Sequence, residues 1–168
     1  MDAAAAVAVI VAAEPRPSIL LLRRRQLPGD PWSGHFSFPG GRRDQGDANL
    51  LSTCLRETWE ETSILLPEDA LYQALPAAPV APVGRLMRIR MVVQPYLFHV
   101  MERPQVVVDP REIVSAHWLE VADFRDQRRH HEREMVPGMN LPAFPLEDYY
   151  LWGFTYGVLR RLFGDAAA

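Results

Sequence analysis

Pro39-Gly40-Gly41-Arg42-Arg43-Asp44-Gln45-Gly46-Asp47, continued at Leu55-Arg56-Glu57-Thr58-Trp59-Glu60-Glu61, is the stretch around which this chain is organised. The first half reads as a turn. Pro39 ends a strand, and the two adjacent glycines let the backbone approach a ligand closely or adopt positive φ. The second half reads as a helix with Asp47 or Asn49 as its N-cap. Glu57, Glu60 and Glu61 recur at i, i+3 and i+4, so their carboxylates project from one face within a single turn. Three like charges in one patch repel, and a chain tolerates them where the face is solvated or a cation sits against it. Leu51, Leu55, Thr58 and Thr62 fall on the opposite face, so the helix is amphipathic and docked. An acidic stripe alone reads as a solvated surface. The Gly-Gly turn upstream and Arg56 beside the first glutamate favour a site for a hard cation, Mg²⁺ or Mn²⁺, bridging carboxylates to phosphates.

These residues resemble the Nudix box, whose usual pattern is Gly, five residues, Glu, seven residues, then Arg-Glu-aliphatic-any-Glu-Glu-any-Gly-aliphatic. Gly41 is followed after five residues by Asp47, with eight residues before Arg56; Thr58 stands at the aliphatic position and Ser63 at the glycine before Ile64. Asp47 and the extra residue are similar to the branch of the family that cleaves coenzyme A. Leu21-Leu22, the run Arg23-Arg24-Arg25 and Gly34…Phe38-Pro39-Gly40-Gly41 resemble a second motif of that branch, and Trp152-Gly153 resembles its terminal helix. Asp30 stands where the branch carries an arginine able to meet a 3′-phosphate, so weak discrimination for that phosphate is expected.

The resemblance implies an α/β fold, the Nudix α/β/α sandwich with a mixed β-sheet, as one domain over residues 1–168. It also implies an enzyme: a metal-dependent pyrophosphohydrolase cleaving the diphosphate linkage of a nucleoside diphosphate derivative, with a coenzyme A-like substrate favoured. ADP-ribose, a dinucleotide, or a non-catalytic nucleotide sensor are the alternatives. Glu57, Glu60 and Glu61 would hold Mg²⁺ or Mn²⁺ with a carbonyl of Gly40 or Gly41, and Asp47 through water. Arg56 would clamp the glutamates. Glu57 or Glu112 would activate water, Glu112 lying in a Glu-aliphatic…Trp-aliphatic passage similar to the family's. The family's habits also allow a homodimer.

Composition bounds the rest. The 168 residues are 48% hydrophobic and 23% charged, ordinary values for a folded domain. The net charge of −3 argues against nucleic acid as a partner. No lysine occurs, so arginines must bind any anion: Arg23, Arg25 and Arg42 are the candidate substrate ligands. Trp32 either stacks on a base or closes over the core. Cys54 is the single cysteine, which excludes an intrachain disulfide and reads as packing. The apolar stretch Ala3 to Ala13 lacks a basic n-region and is too short to span a bilayer. A soluble, cytoplasmic protein without a membrane partner is expected.

Along the chain, Val7–Val11, Ser18–Leu22, Phe36–Phe38 and Ala116–Leu119 read as strands, with a short one at Leu71–Leu75 and a long strand or hairpin over Met87–Met101. Arg88 and Arg90 share one face of the last. Residues 76–82 read as an extended surface segment. Val121–His131 reads as a helix, Pro137–Pro145 as an irregular loop, and Tyr149–Phe163 as one terminal helix capped by Gly164. His130 and His131 do not face one way on a helix, so a metal site there is not expected.

Overall fold

The computed structural model describes residues 1–30, 32–80 and 91–164. In chain order the elements are β1 (Ala5–Glu14), β2 (Ser18–Arg24), β3 (Phe36–Ser37), β4 (Gly40–Arg42), α1 (Leu50–Thr62), β5 (Leu71–Ala74), β6 (Ala78–Val80), β7 (Met91–Glu102), β8 (Ile113–Glu120), α2 (Val121–Arg125), β9 (His131–Val136), β10 (Met139–Leu146), β11 (Tyr149–Trp152) and α3 (Gly153–Phe163). Arg85, Arg88 and Arg90 lie outside the described residues.

The nearly unbroken apolar runs of β1 and β2 mark strands covered on both faces. Side chains alternate across a strand. On β1, Ala6, Ala8 and Ile10 join Leu20 and Leu22 of β2 in a layer under Cys54 and the leucines of α1. Val9, Ile19 and Leu21 join the opposite layer with Phe124, Phe144, Leu151 and Leu159. Helix α1 therefore covers one face, while α2, α3 and the β9–β11 sheet cover the other. This is an α/β/α sandwich. The sheet is mixed, since β1 runs parallel to β7 and antiparallel to β2, and β2 runs antiparallel to β8. Strands β5 and β6 share the outer edge of β7.

The seam between β1 and β2 positions the site. They pair directly only at Val11–Ile19 and Ala12–Ser18. Beyond that they splay, and residues 36–42 fill the gap: Phe36 and Ser37 pair with Arg23 and Leu22, and Gly40 to Arg42 pair with Val7 to Ala5. At Gly40 a side chain would meet the carbonyl oxygen of Ala6 at 2.3 Å and Cα of Val7 at 2.6 Å, so this close backbone approach requires glycine.

Three expectations for the C-terminal third are corrected. The helix begun at Val121 stops at Arg125, because Asp126 caps a short 3-10 turn at Gln127–Arg129 through the backbone N–H of Arg128. The expected loop over Pro137–Pro145 is a hairpin, and the terminal helix starts only at Gly153, after β11. The prolines fit because β9 pairs with residues 139–143 of β10 and β11 with residues 143–146, overlapping only at Ala143. Pro142 and Pro145 each sit where β10 has one partner strand, so the missing N–H can face the open side. The two histidines diverge, though at the end of the 3-10 turn and the start of β9 rather than on the expected helix. His130 turns inward, its ring nitrogens 2.6 Å from the Phe124 carbonyl and 2.8 Å from the Tyr156 hydroxyl, while His131 is exposed. No helix among the described residues is long and apolar enough to cross a membrane.

Candidate active site

Helix α1 starts at Asn49, whose side chain accepts from Ser52 N–H at 2.9 Å. It ends at Ser63 in the left-handed conformation (φ 57°), the position of the box glycine. Its terminal carbonyls are taken up by the following loop: Val107 N–H donates to Thr62 O at 2.9 Å and Asp109 N–H to Glu61 O at 3.0 Å. That loop delivers Glu112 to the cavity carrying the acidic face of α1.

Arg56 uses all its donors. Nε and Nη2 fork onto the two oxygens of Asp47, each at 2.9 Å; Nη1 reaches Glu57 at 2.9 Å and Glu60 at 3.3 Å; Nη2 also meets Arg42 O at 3.3 Å. Asp47 additionally accepts from the Asp44 N–H and the Thr53 hydroxyl, each at 2.9 Å. The Arg56 guanidinium above all holds the Asp47 carboxyl well below the usual carboxylate range. Asp47 is thus the anchor of Arg56, and Asn49 is the N-cap.

The acidic face is not uniformly solvated. Glu60 is exposed, Glu57 half-buried, and Glu61 only 2% exposed. Burial raises the Glu57 carboxyl, and burial reinforced by the neighbouring Glu57 pushes Glu61 up to about 8. Glu61 accepts one long bond, 3.4 Å from Gly40 N–H, and its second oxygen is buried with no partner among the described residues. The Glu57 carboxylate occupies the space a side chain on Gly41 would need, its carboxyl carbon 2.5 Å from that point.

These groups open into a cavity of about 410 Å³. Its lining mixes charged side chains, Glu57, Glu60, Glu61, Glu112, Arg24 and Arg42, with the rings of Trp32, His35, Phe36, Trp152 and Phe154. Of the expected substrate ligands, Arg42 and Trp32 line this cavity, and Arg23 and Arg25 do not. Arg23 pairs with Asp148 at 2.8 Å and lies between the rings of Phe36 and Tyr149, while Arg25 binds the Pro110 carbonyl at 2.8 Å. Of the run Arg23-Arg24-Arg25 it is Arg24 that lines it, held by Asp30 at 3.0 Å, with Nε buried and unpartnered among the described residues. Alternation along β2 carried that signal, since Leu20, Leu22 and Arg24 share the face toward α1. Asp30 serves Arg24 and also accepts from Trp32 N–H at 3.0 Å. Cys54 is buried, its thiol pushed up to about 12 by burial, which makes it inert packing.

Hard carboxylate oxygens, one of them buried and unpartnered, beside a backbone without a side chain suit a divalent cation. Among the described residues no three His, Cys, Asp or Glu side chains form a closed ligand cluster, since Glu57 and Glu60 are turned to Arg56.

A mixed sheet split around a Gly-Gly turn, with an acidic helix across the split, defines a class of α/β/α hydrolase. The NUDIX domain pattern matches residues 2–139, and this chain belongs to that family of enzymes, the Nudix hydrolases. It is 27% identical over 162 residues to a Citrobacter koseri protein called uncharacterized Nudix hydrolase NudL, covering 94% of this chain and 80% of that one. It is 31% identical over 108 residues to uncharacterized protein C14C4.10c of Schizosaccharomyces pombe, covering 64% of this chain and 33% of that one. The fold is shared with the NUDIX domain of Shewanella oneidensis NrtR complexed with ADP ribose (TM-score 0.57, 23% identity, 73% and 75% of the two chains). It is shared too with a C. elegans Ap4A hydrolase in a binary complex (TM-score 0.54, 22% identity, 71% and 80%).

Proposed function

We propose that this chain hydrolyses the diphosphate linkage of a nucleoside diphosphate derivative with Mg²⁺ or Mn²⁺ bound at the acidic face of α1. The observation that carries this reading is Glu61: a buried carboxylate with an oxygen unpartnered among the described residues, in a cavity lined by four glutamates and several aromatic rings. Glu57, Glu60, Glu61 and the carbonyl of Gly40 or Gly41 would hold the cation. When bound, it neutralises charge on phosphoryl oxygens and lowers the pKa of a coordinated water. Arg56, anchored on Asp47, orients Glu57 and Glu60. Arg24 and Arg42 offer guanidinium groups to the diphosphate. Glu57 and Glu112 are the candidate proton acceptors, and the aromatic rings of the lining face the organic part of the substrate.

Coenzyme A is the substrate to test first, because Asp47 with its spacing, the Phe38–Gly41 run and Trp152-Gly153 resemble the branch that cleaves it. Asp30, engaged with Arg24, offers no cation to a 3′-phosphate, so dephospho-coenzyme A should be cleaved comparably. Two relatives of the fold bear names or ligands with ADP ribose and Ap4A, which makes those the competing substrates. Coenzyme A, dephospho-coenzyme A, ADP-ribose, Ap4A and nucleoside triphosphates, incubated with Mg²⁺ or Mn²⁺ and read by product mass, decide the matter. Cleavage of ADP-ribose or Ap4A with both coenzyme A compounds intact would remove the coenzyme A assignment and leave the reaction class. No cleavage of any of them would sink the reading.

A further inference from the structure

Arg25 reads in the sequence as a substrate ligand, yet it lies outside the cavity, where the chain leaves β2. Pairing between β2 and β8 passes from Arg23–Ser115 to Arg24–Ile113, so Val114 is bulged out of the ladder. Beyond the bulge the ladder continues by one bond, from Arg25 N–H to Glu112 O at 2.8 Å. Successive side chains leave a strand on opposite faces, so Arg24 enters the cavity and Arg25 turns away from it. There its Nη1 donates to Pro110 O at 2.8 Å. The segment that receives these two bonds carries Glu112 into the cavity. Its other end is tied to α1, with Val107 N–H on Thr62 O at 2.9 Å and Asp109 N–H on Glu61 O at 3.0 Å. Between the two anchors lies one tight turn. The N–H groups of Glu112 and Ile113 both donate to Asp109 O, at 3.1 and 2.9 Å, and the Asp109 carboxylate accepts from Arg111 N–H at 2.9 Å. Glu112 is exposed, so its aim is set by the backbone of this turn rather than by packing. A shift of about 1 Å in a reacting group can cost about a hundred-fold in rate, so what anchors the turn matters to the chemistry.

We infer that Arg25 is a positioning residue: by holding the Pro110 carbonyl it fixes the 109–112 turn, and with it the direction of Glu112, the candidate proton acceptor. This rests on the hydrolase reading for the role of Glu112 but not for the hold itself. Kinetics of the full chain with Mg²⁺ test it on whichever of coenzyme A, ADP-ribose and Ap4A is cleaved. Glu112→Gln should lower kcat by about a hundred-fold or more. Arg25→Met, which keeps an apolar stem and removes one hydrogen bond, should lower kcat by about three- to ten-fold and leave KM within about two-fold. Arg25→Lys should recover part of that loss, since an ammonium still donates to a carbonyl. In the Glu112→Gln background, Arg25→Met should change kcat by less than about 1.5-fold, because a residue that acts only through Glu112 has nothing left to position. A ligand of the diphosphate would instead raise KM and keep its effect in that background. Amide exchange of the full chain gives a readout without turnover. In Arg25→Met the Glu112 and Ile113 amides should exchange about three- to ten-fold faster. The α1 amides should not change, and the melting temperature should stay within about 2 °C of wild type. Effects of the two substitutions that multiply, a raised KM, a fully active Glu112→Gln, or unchanged exchange at Glu112 each overturn the inference and leave the hydrolase reading intact. Failure of that reading shows separately, as a wild type that cleaves none of the three compounds, and amide exchange then still decides whether Arg25 holds the turn.

Discussion

At the scale of the residue, two side chains govern the acidic face in opposite ways. Glu61 lies under the helix, where sequence alone puts it on an exposed stripe; spacing shows that three glutamates share a face, but not that the 36–42 segment covers one of them. Its carboxyl binds a proton more tightly in the folded protein (about 8) than at its ordinary value of 4.5. Its stabilising protonated form is therefore fully present below pH 4.5 and lost as pH rises through about 8. Metal-free protein should melt at lower temperature at pH 8.5 than at pH 6, and Glu61→Gln should flatten the profile while turnover falls by several orders of magnitude. A wild-type profile that matches Glu61→Gln would show that Glu61 is not titrating in this range. Arg56 is the counterweight, with every donor committed to Asp47, Glu57, Glu60 or Arg42. Arg56→Ala should lower both melting temperature and activity, and Arg56→Lys should recover part of each, because an ammonium cannot fork across Asp47. A variant as stable and active as wild type would mean that the clamp does nothing.

At the scale of the element, adjacent glycines separate fold from chemistry. A methyl on Gly40 would strike backbone of Ala6 and Val7, which cannot yield without opening the seam, so Gly40→Ala should cost about 3 kcal/mol or more. A methyl on Gly41 would strike the end of the flexible Glu57 side chain, so Gly41→Ala should stay folded and lose activity. Equal denaturation midpoints for the two variants would contradict this division. The other end of α1 gives a gain: Ser63 sits at φ 57°, and Ser63→Gly should stabilise by about 1 kcal/mol, raising the melting temperature by about 2–4 °C, with activity unchanged. The start of α1, its amphipathic faces and the turn before it were legible, because cap, period and glycine pair are local signals. The β9–β11 hairpin was not. Pro137, Pro142 and Pro145 read as loop residues, and only the staggered pairing, which is tertiary, makes room for two of them inside β10.

At the scale of the whole molecule, the sheet brings together residues that no sequence window shows as neighbours. The acidic face of α1, Glu112 from the loop before β8, Arg24 from the end of β2 and Trp152 from β11 meet in one cavity. The box was readable and so was the family, and Arg42, Trp32 and Glu112 were expected at the site, but choosing Arg24 over Arg23 and Arg25 depends on which face of β2 meets α1, which parity along β2 contained. The coupling between this assembly and a cation gives the last prediction. A ligand that binds only the folded chain stabilises it by about 2.7 kcal/mol at a hundred times its dissociation constant, which corresponds to about 5–10 °C for a chain of this size. Glu61 must give up its proton before its oxygens can ligate, and with a pKa of about 8 it is largely protonated at pH 6. Mg²⁺ should therefore raise the melting temperature clearly at pH 8.5 and little at pH 6, and Glu61→Gln should remove most of the pH 8.5 effect. Thermal melts with and without Mg²⁺ at both pH values measure this directly. An equal shift at the two pH values, or one that survives Glu61→Gln, would place the cation away from the buried carboxylate.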